Sequence, residues 1–197
     1  PFEKITKKIN MTLFKTKTFI EDLLIIEPKV HFDKRGYFFE SFNHKDLNEL
    51  IGADVNFVQD NQSSSEYGTI RGLHYQYGEF QQAKLVRVLK GRIFDVAVDL
   101  RSNSNTFKKW FAVELSEKNF KQLWIPRGFA HGYLCLSDDC EIFYKVDNYY
   151  SKFHEKGINF KNKQLNIDWP ITEPLKISEK DSNYDINDNI NPIDIIN

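Results

Sequence analysis

Ile93-Phe94-Asp95-Val96-Ala97-Val98-Asp99-Leu100 is the stretch on which the fold turns. Phe94, Val96, Val98 and Leu100 project to one side, and Ile93, Asp95, Ala97 and Asp99 to the other. A period of two built on β-branched residues marks a strand. An apolar face opposite one with two carboxylates predicts one core face and one free for polar chemistry. The surrounding chain repeats this signal. Between residues 15 and 150, short runs rich in Val, Ile, Phe and Tyr are punctuated by Gly, Asn, Asp and Pro at the spacing of a sandwich or barrel. The expected fold class is all-β with short peripheral helices.

A helix is expected over residues 43–51, because Asn43 can cap it, Leu47, Leu50 and Ile51 form a stripe, and Gly52 can end it. Ser116, ahead of Glu117, Lys118 and Asn119, predicts a second short helix. From residue 186 onward Asn, Asp and Ile dominate with little turn chemistry, which predicts a loosely packed tail. Residues 1–10 carry lysines without an apolar period and are set apart as an extension, leaving one domain over residues 11–185.

The chain has 197 residues, 41% apolar and 28% charged, enough for a single domain with a sizeable core. A net charge of -1 without a long basic cluster argues against a nucleic acid polymer as partner and leaves room for a small anionic ligand. No run approaches the roughly twenty apolar residues that cross a bilayer, and the start of the chain lacks a signal-peptide core, so no membrane association and a cytoplasmic location are expected. The two cysteines, Cys135 and Cys140, fit neither a zinc pattern nor a disulfide framework and read as buried or turn thiols.

Two segments place a histidine beside glycine-restricted backbone and charge: Arg71-Gly72-Leu73-His74-Tyr75-Gln76 and Ile125-Pro126-Arg127-Gly128-Phe129-Ala130-His131-Gly132. A lone histidine in a barrel is usually a satisfied structural residue; two in such settings suggest a site. Pro126-Arg127-Gly128-Phe129-Ala130-His131 resembles the second motif of cupins, whose first motif supplies His-x-His and a Glu to a metal. Here Tyr75 and Gln76 follow His74, so a three-histidine site cannot be built from these positions and no metal or other cofactor is expected.

The ordered series of segments narrows the resemblance. It runs through Ile26-Glu27-Pro28-Lys29-Val30, Asp33-Lys34-Arg35-Gly36-Tyr37-Phe38-Phe39-Glu40, Phe57-Val58-Gln59-Asp60-Asn61, the His74 segment, Lys84-Leu85-Val86-Arg87-Val88 and Phe94-Asp95-Val96-Ala97-Val98-Asp99. It continues with Gln122-Leu123-Trp124-Ile125-Pro126, the His131 segment, Phe143-Tyr144-Lys145 and Ser178-Glu179-Lys180-Asp181. From residue 24 to 181 the chain resembles the dTDP-4-dehydrorhamnose 3,5-epimerase family. The resemblance implies a cupin-like jelly-roll β-barrel and a cofactor-free isomerase. Its substrate would be a dTDP-linked 4-keto-6-deoxy sugar on the route to dTDP-rhamnose and surface polysaccharide.

In such a sugar C3 and C5 both flank the ketone, so loss of either proton leaves an enolate with its charge on the C4 oxygen. The resemblance implies His74 as base, Asp181 as the carboxylate orienting it, Lys84 against the enolate and Tyr144 as acid from the opposite face. An ordinary imidazole, with a pKa of about 6.5, suits proton abstraction near neutrality. Asp95, on the polar side of its strand, is expected to hold Lys84. Arg71 and His131 are implied near the sugar, and Arg35, Glu40, Gln59 and Asn61 at the nucleotide, with Tyr150 packing on the substrate.

Read alone, Lys84 is a solvated strand lysine, Tyr144 a core aromatic, and Arg35 with Glu40 a surface ion pair on a hairpin. The family is a homodimer whose nucleotide site is completed across the interface, so Arg35 and Glu40 are expected to serve the partner. Gln62 stands where many relatives carry a histidine, and the loop over residues 77–82 lacks their small residues, which opens base and sugar preference. The rival readings are an epimerase for another nucleotide sugar or a single carbon, a metal-dependent cupin, and a non-catalytic sugar-binding barrel.

Overall fold

Alternation of apolar and polar residues, broken by glycines and short polar turns, carries the described residues through thirteen strands. In chain order these are β1 (Leu13–Lys17), β2 (Leu24–Pro28), β3 (His31–Asp33), β4 (Gly36–Phe38), helix α1 (His44–Ile51), β5 (Gln59–Glu66) and β6 (Ile70–Gln76). There follow β7 (Lys84–Lys90), β8 (Arg92–Asp99), β9 (Trp110–Ser116), β10 (Gln122–Ile125), β11 (Phe129–Cys135), β12 (Asp139–Val146), β13 (Glu155–Gly157) and helix α2 (Glu179–Ser182). The computed structural model describes residues 12–171 and 175–196. The extension expected over residues 1–10 lies outside them.

One sheet has the strand order β1-β2-β10-β7-β12-β5, the other β13-β6-β11-β8-β9, and β3 with β4 forms a separate hairpin. The named strand pairs are antiparallel. The two sheets close on each other as a jelly-roll barrel, the fold class expected. Ile25, Val86, Val88, Leu123 and Ile142 from the first sheet meet Ile93, Ala97, Phe129 and Tyr133 from the second in the barrel interior. Burying each large side chain contributes about 1.5–3 kcal/mol, and this is the largest favourable contribution to holding the sheets together.

The stretch 93–100 departs from expectation in one respect: both its faces are buried. Ile93 and Ala97 face the barrel interior. Val96, Val98 and Leu100 pack outward against Ile158, Phe160, Leu165, Trp169, Ile190 and Ile193. The chain after β13 wraps the outer face of the second sheet, so the face with the most apolar side chains is covered by the C-terminal segment. The carboxylates Asp95 and Asp99 lie inside, fully buried.

The tail expected to pack loosely carries part of that cover. Ile190 and Ile193 are buried, Ile193 exchanges backbone bonds with Leu100 and Ser102, and the Gln81 side chain donates to the Asp194 carbonyl at 2.6 Å. Its isoleucines meet a sheet face that local pattern does not reveal.

Helix α1 forms as its caps dictate. Asn43 accepts from the Asp46 amide, Gly52 ends the helix with φ 74°, and Leu47 and Leu50 are buried against Ile26, Leu85 and Trp124. After Ser116, by contrast, there is a turn and no helix. The Asn119 amide donates to Ser116 Oγ as a cap requires, but Phe120 takes φ 56° and directs the chain into β10.

Candidate active site

At its polar end the barrel opens into a cavity of about 600 Å³ lined by residues of both sheets. Gln59, Asn61, Arg71, His74, Lys84, His131, Tyr144, Tyr150 and Asp181 all line it. Sequence positions spread over more than a hundred residues thus converge on one place. Gln59 and Asn61 come from β5, Lys84 from β7 and Tyr144 from β12, all in the first sheet; Arg71 and His74 come from β6 and His131 from β11 in the second.

The register explains how β6 offers two polar side chains to one cavity. His74 pairs with His131 and Arg71 with Tyr133, so β6 holds one more residue than β11 over the same span. That irregularity breaks the alternation and turns both Arg71 and His74 inward. Gly72, at φ 110°, sits within it, and a Cβ there would lie 2.7 Å from the Gly132 Cα and the His131 carbonyl oxygen. Only glycine lets β6 and β11 approach so closely.

His74 Nε2 lies 2.6 Å from Asp181 Oδ1, and the other carboxylate oxygen accepts from the Gly72 amide at 3.2 Å. Burial favours a neutral Asp181, but the bonds from His74 and Gly72 outweigh it and hold the carboxyl below the usual range. With Asp181 accepting from Nε2–H, Nδ1 carries the free lone pair.

His131 forms a second pair, its Nε2 lying 2.8 Å from Asp95 Oδ1. Burial pushes this imidazole down despite Asp95, and Lys84 and His74 push it further. Asp95 was expected to hold Lys84. Its bonded partner is instead His131, while Oδ2 is buried without a hydrogen bond. Asp95 reaches Lys84 only through charge: burial pushes the Lys84 ammonium down to about 8, and Asp95 and Glu155 oppose that fall.

Tyr144 pairs with Val86 and Asn61 across β7 and β5, which places it beside Lys84 on the wall facing His74. Burial, then Tyr133, raises its phenol above the ordinary value.

Arg35 and Glu40 are not among the cavity's lining residues. Arg35 is exposed on the β3–β4 hairpin and forks onto Asp33. Glu40 accepts from Thr12 and from the Asn43 side chain at the start of α1. Within one chain Arg35 does form a surface ion pair on the hairpin, but with Asp33 and not with Glu40, the partner read from sequence alone.

Two polar lining residues, Tyr133 and Glu155, escaped the sequence reading. Tyr133 binds Ser63 at 3.1 Å and Ser65 at 3.0 Å; it lies two residues past His131 on the same face of β11, and that parity could have found it. Glu155 stands on the short strand β13 with no motif or periodicity to mark it, and there its Oε2 meets Tyr150 and Lys180.

The donor set does not fit a resident metal. The two cavity histidines are each bound to a different carboxylate, and among the described residues no three His, Cys, Asp or Glu side chains are grouped to hold an ion. What the arrangement offers is acid–base chemistry: an imidazole oriented by a carboxylate, a half-buried lysine, and a phenol on the far wall.

The family model described as dTDP-4-dehydrorhamnose 3,5-epimerase matches residues 17–188. The dTDP-4-dehydrorhamnose 3,5-epimerase of Shigella flexneri is 55% identical over 167 residues, 85% of this chain and 92% of that protein. The crystal structure of the enzyme of that name from Elizabethkingia anophelis NUHP1 superposes with a TM-score of 0.85 at 50% identity, over 88% of this chain and 95% of that one. The dTDP-6-deoxy-D-glucose-3,5-epimerase of Legionella pneumophila Philadelphia 1, solved in complex with dTDP-4-keto-L-rhamnose, gives a TM-score of 0.84 at 48% identity, over 86% and 90% of the two chains. With its cupin-like jelly roll and a match along most of its length, this chain belongs to the dTDP-4-dehydrorhamnose 3,5-epimerase family.

Proposed function

We propose that the protein inverts C3 and C5 of dTDP-4-dehydro-6-deoxy-D-glucose to give dTDP-4-dehydro-L-rhamnose, without a cofactor. The observation that carries this reading is the opposition of two proton-transfer groups across one cavity: His74 on the second sheet, bonded to Asp181 of α2, Tyr144 on the first sheet, and the half-buried Lys84 beside Tyr144.

His74 takes the proton from C3 or C5 while Asp181 stabilises the imidazolium that forms. The electron pair of the broken C–H bond moves into the C–C bond toward C4, and the carbonyl oxygen becomes an enolate. Lys84, an ammonium at neutral pH, meets that charge in a cavity where water screens it little. Tyr144 returns a proton from the other face, and the carbon is inverted. A phenol raised by burial is protonated at neutral pH and fit to donate.

Arg71 and the neutral His131 are assigned to the sugar, Gln59 and Asn61 to the nucleotide, and Tyr150 to the cavity mouth. Arg35 and Glu40, remote from their own cavity, fit a homodimer in which each hairpin completes the partner's nucleotide site; a guanidinium presents the planar fork a diphosphate takes. No helix among the described residues is long and apolar enough to cross a membrane, and the substrate class supports work in the cytoplasm on a precursor of surface polysaccharide such as O-antigen.

Incubation with dTDP-4-keto-6-deoxyglucose, followed by borohydride reduction and sugar analysis, should yield 6-deoxy sugars of L configuration. Recovery of only the input D configuration, or equal turnover of the GDP- and CDP-linked sugars, would contradict the assignment of reaction or of nucleotide.

A further inference from the structure

Lys84 opens β7, and the first residue of a strand is where pairing ends and fraying begins. In the first sheet β7 lies between β10 and β12, with Lys84 opposite Ile125 on one side and Val146 on the other. Both neighbours stop at that point, Ile125 being the last residue of β10 and Val146 the last of β12. A charged residue follows each: Arg127 two places past β10, and Asp147 one place past β12.

These two side chains meet across the end of β7. Asp147 bonds the residue before Lys84 twice, its amide donating to the Ala83 carbonyl at 3.3 Å and its Oδ1 accepting from the Ala83 amide at 2.7 Å. Its other oxygen accepts from Arg127 Nε at 2.8 Å. The guanidinium also donates from Nη1 to the Ile196 carbonyl at 3.2 Å, and the Gln81 side chain, just ahead of Lys84, donates to the Asp194 carbonyl. The C-terminal segment thus backs the pair from outside. A second tie, from the Gln82 side chain to the Asn148 carbonyl at 2.8 Å, joins the segments before β7 and after β12 but does not reach the chain after β10. Neither Asp147 nor Arg127 lines the cavity, and the Asp147 side chain is only 8% exposed, so the pair stands behind the site and not in it.

We propose that Asp147 and Arg127 are positioning residues: as a clasp across the start of β7, they hold Lys84 in its place in the cavity. A displacement of about 1 Å in a group that meets developing charge can cost on the order of 100-fold in rate. The proposal rests on Lys84 as the group that meets the enolate, but the hold on Lys84 can be read without substrate.

Lysine labelled with carbon-13 at Cε reports its own protonation by NMR, and Lys84→Met identifies the signal. The charged and titratable groups around Lys84 are Asp95 on β8, Glu155 on β13 and His131 on β11. Asp147→Ala removes a negative charge, and by charge alone that lowers the pKa of a nearby ammonium. Opening the clasp does the reverse, because it lets water reach Lys84. The ligand-free titration should therefore move from about 8 toward the ordinary lysine value of about 10.4. At pH 7 kcat should fall on the order of 10-fold with KM little changed, and the alkaline limb of kcat/KM should move to higher pH. Adding Arg127→Met should make the loss no worse, because both changes break one link. A Lys84 titration that stays near 8 or falls overturns the proposal, as does a kcat like the parent's or additive losses in the double variant. Where Asp147→Ala does not fold, Asp147→Asn keeps the shape and the acceptor for Ala83 without the charge bonded to Arg127, and the same titration decides. If the parent protein turned over no substrate, the assigned function would fall and the titration alone would decide the positioning role.

Discussion

Lys84 is a lysine in a place where lysines are costly, enclosed by the barrel with Asp95 and Glu155 as its nearby negative charges. Its ammonium loses its proton near pH 8, so kcat/KM should fall on the alkaline side through that value. The unfolded chain, with a lysine near 10.4, holds more protons between about 8 and 10.4, so this group makes folding more favourable as pH rises through that window. Lys84→Met should therefore lower the rate by roughly 10²–10³-fold while the melting temperature at neutral pH stays level or rises. A variant that melted well below the parent would show that the lysine is structural. Tyr144→Phe tests the assignment of the acid against a core aromatic: proton loss at C3 and C5 should persist while inversion slows, since the base is untouched, and inversion at the parent's rate would make Tyr144 a packing residue. At this scale the sequence was uneven. His74 and His131 announced themselves through the glycines beside them, whereas Asp181 is far from His74 along the chain and reached the site only through the family resemblance. Glu155 left no local mark because its place in the cavity depends on the pairing of β13 with β6.

Among the elements, β6 carries the greatest constraint. Its irregularity at Gly72 puts Arg71 and His74 on one side, and Gly72→Ala would force a methyl into the Gly132 backbone at 2.7 Å and demand a positive φ as well. The variant should lose activity and stability together, on the order of 2–4 kcal/mol by chemical denaturation; an unfolding midpoint like the parent's would remove the argument for the close crossing. Strand alternation and the caps of α1 were legible because they are local. The Ser116 turn and the C-terminal cover were not, since a cap also serves a turn and a buried tail needs a distant face to bury against. Ile193→Ala tests that cover: losing most of a buried isoleucine should cost about 2 kcal/mol, where a loosely packed tail would cost almost nothing.

For the molecule as a whole, two closed sheets give a rigid frame with an apolar interior and a polar mouth, and the chemistry follows from which side chains reach that mouth. Arg35 and Glu40 do not reach it within one chain, so the completed nucleotide site is assigned to a homodimer. Sedimentation should show a dimer, and Arg35→Ala should raise KM with kcat little changed; a monomer of full activity would contradict the shared site. The central claim is that His74 removes, and Tyr144 replaces, protons on opposite faces of one ring. It is tested most directly by following dTDP-4-keto-6-deoxyglucose with the protein in deuterated water by proton NMR, with His74→Ala in parallel. The account predicts loss of both the C3 and C5 proton signals with the parent and of neither with the variant. Exchange at C3 alone, or exchange that survives in His74→Ala, would contradict it.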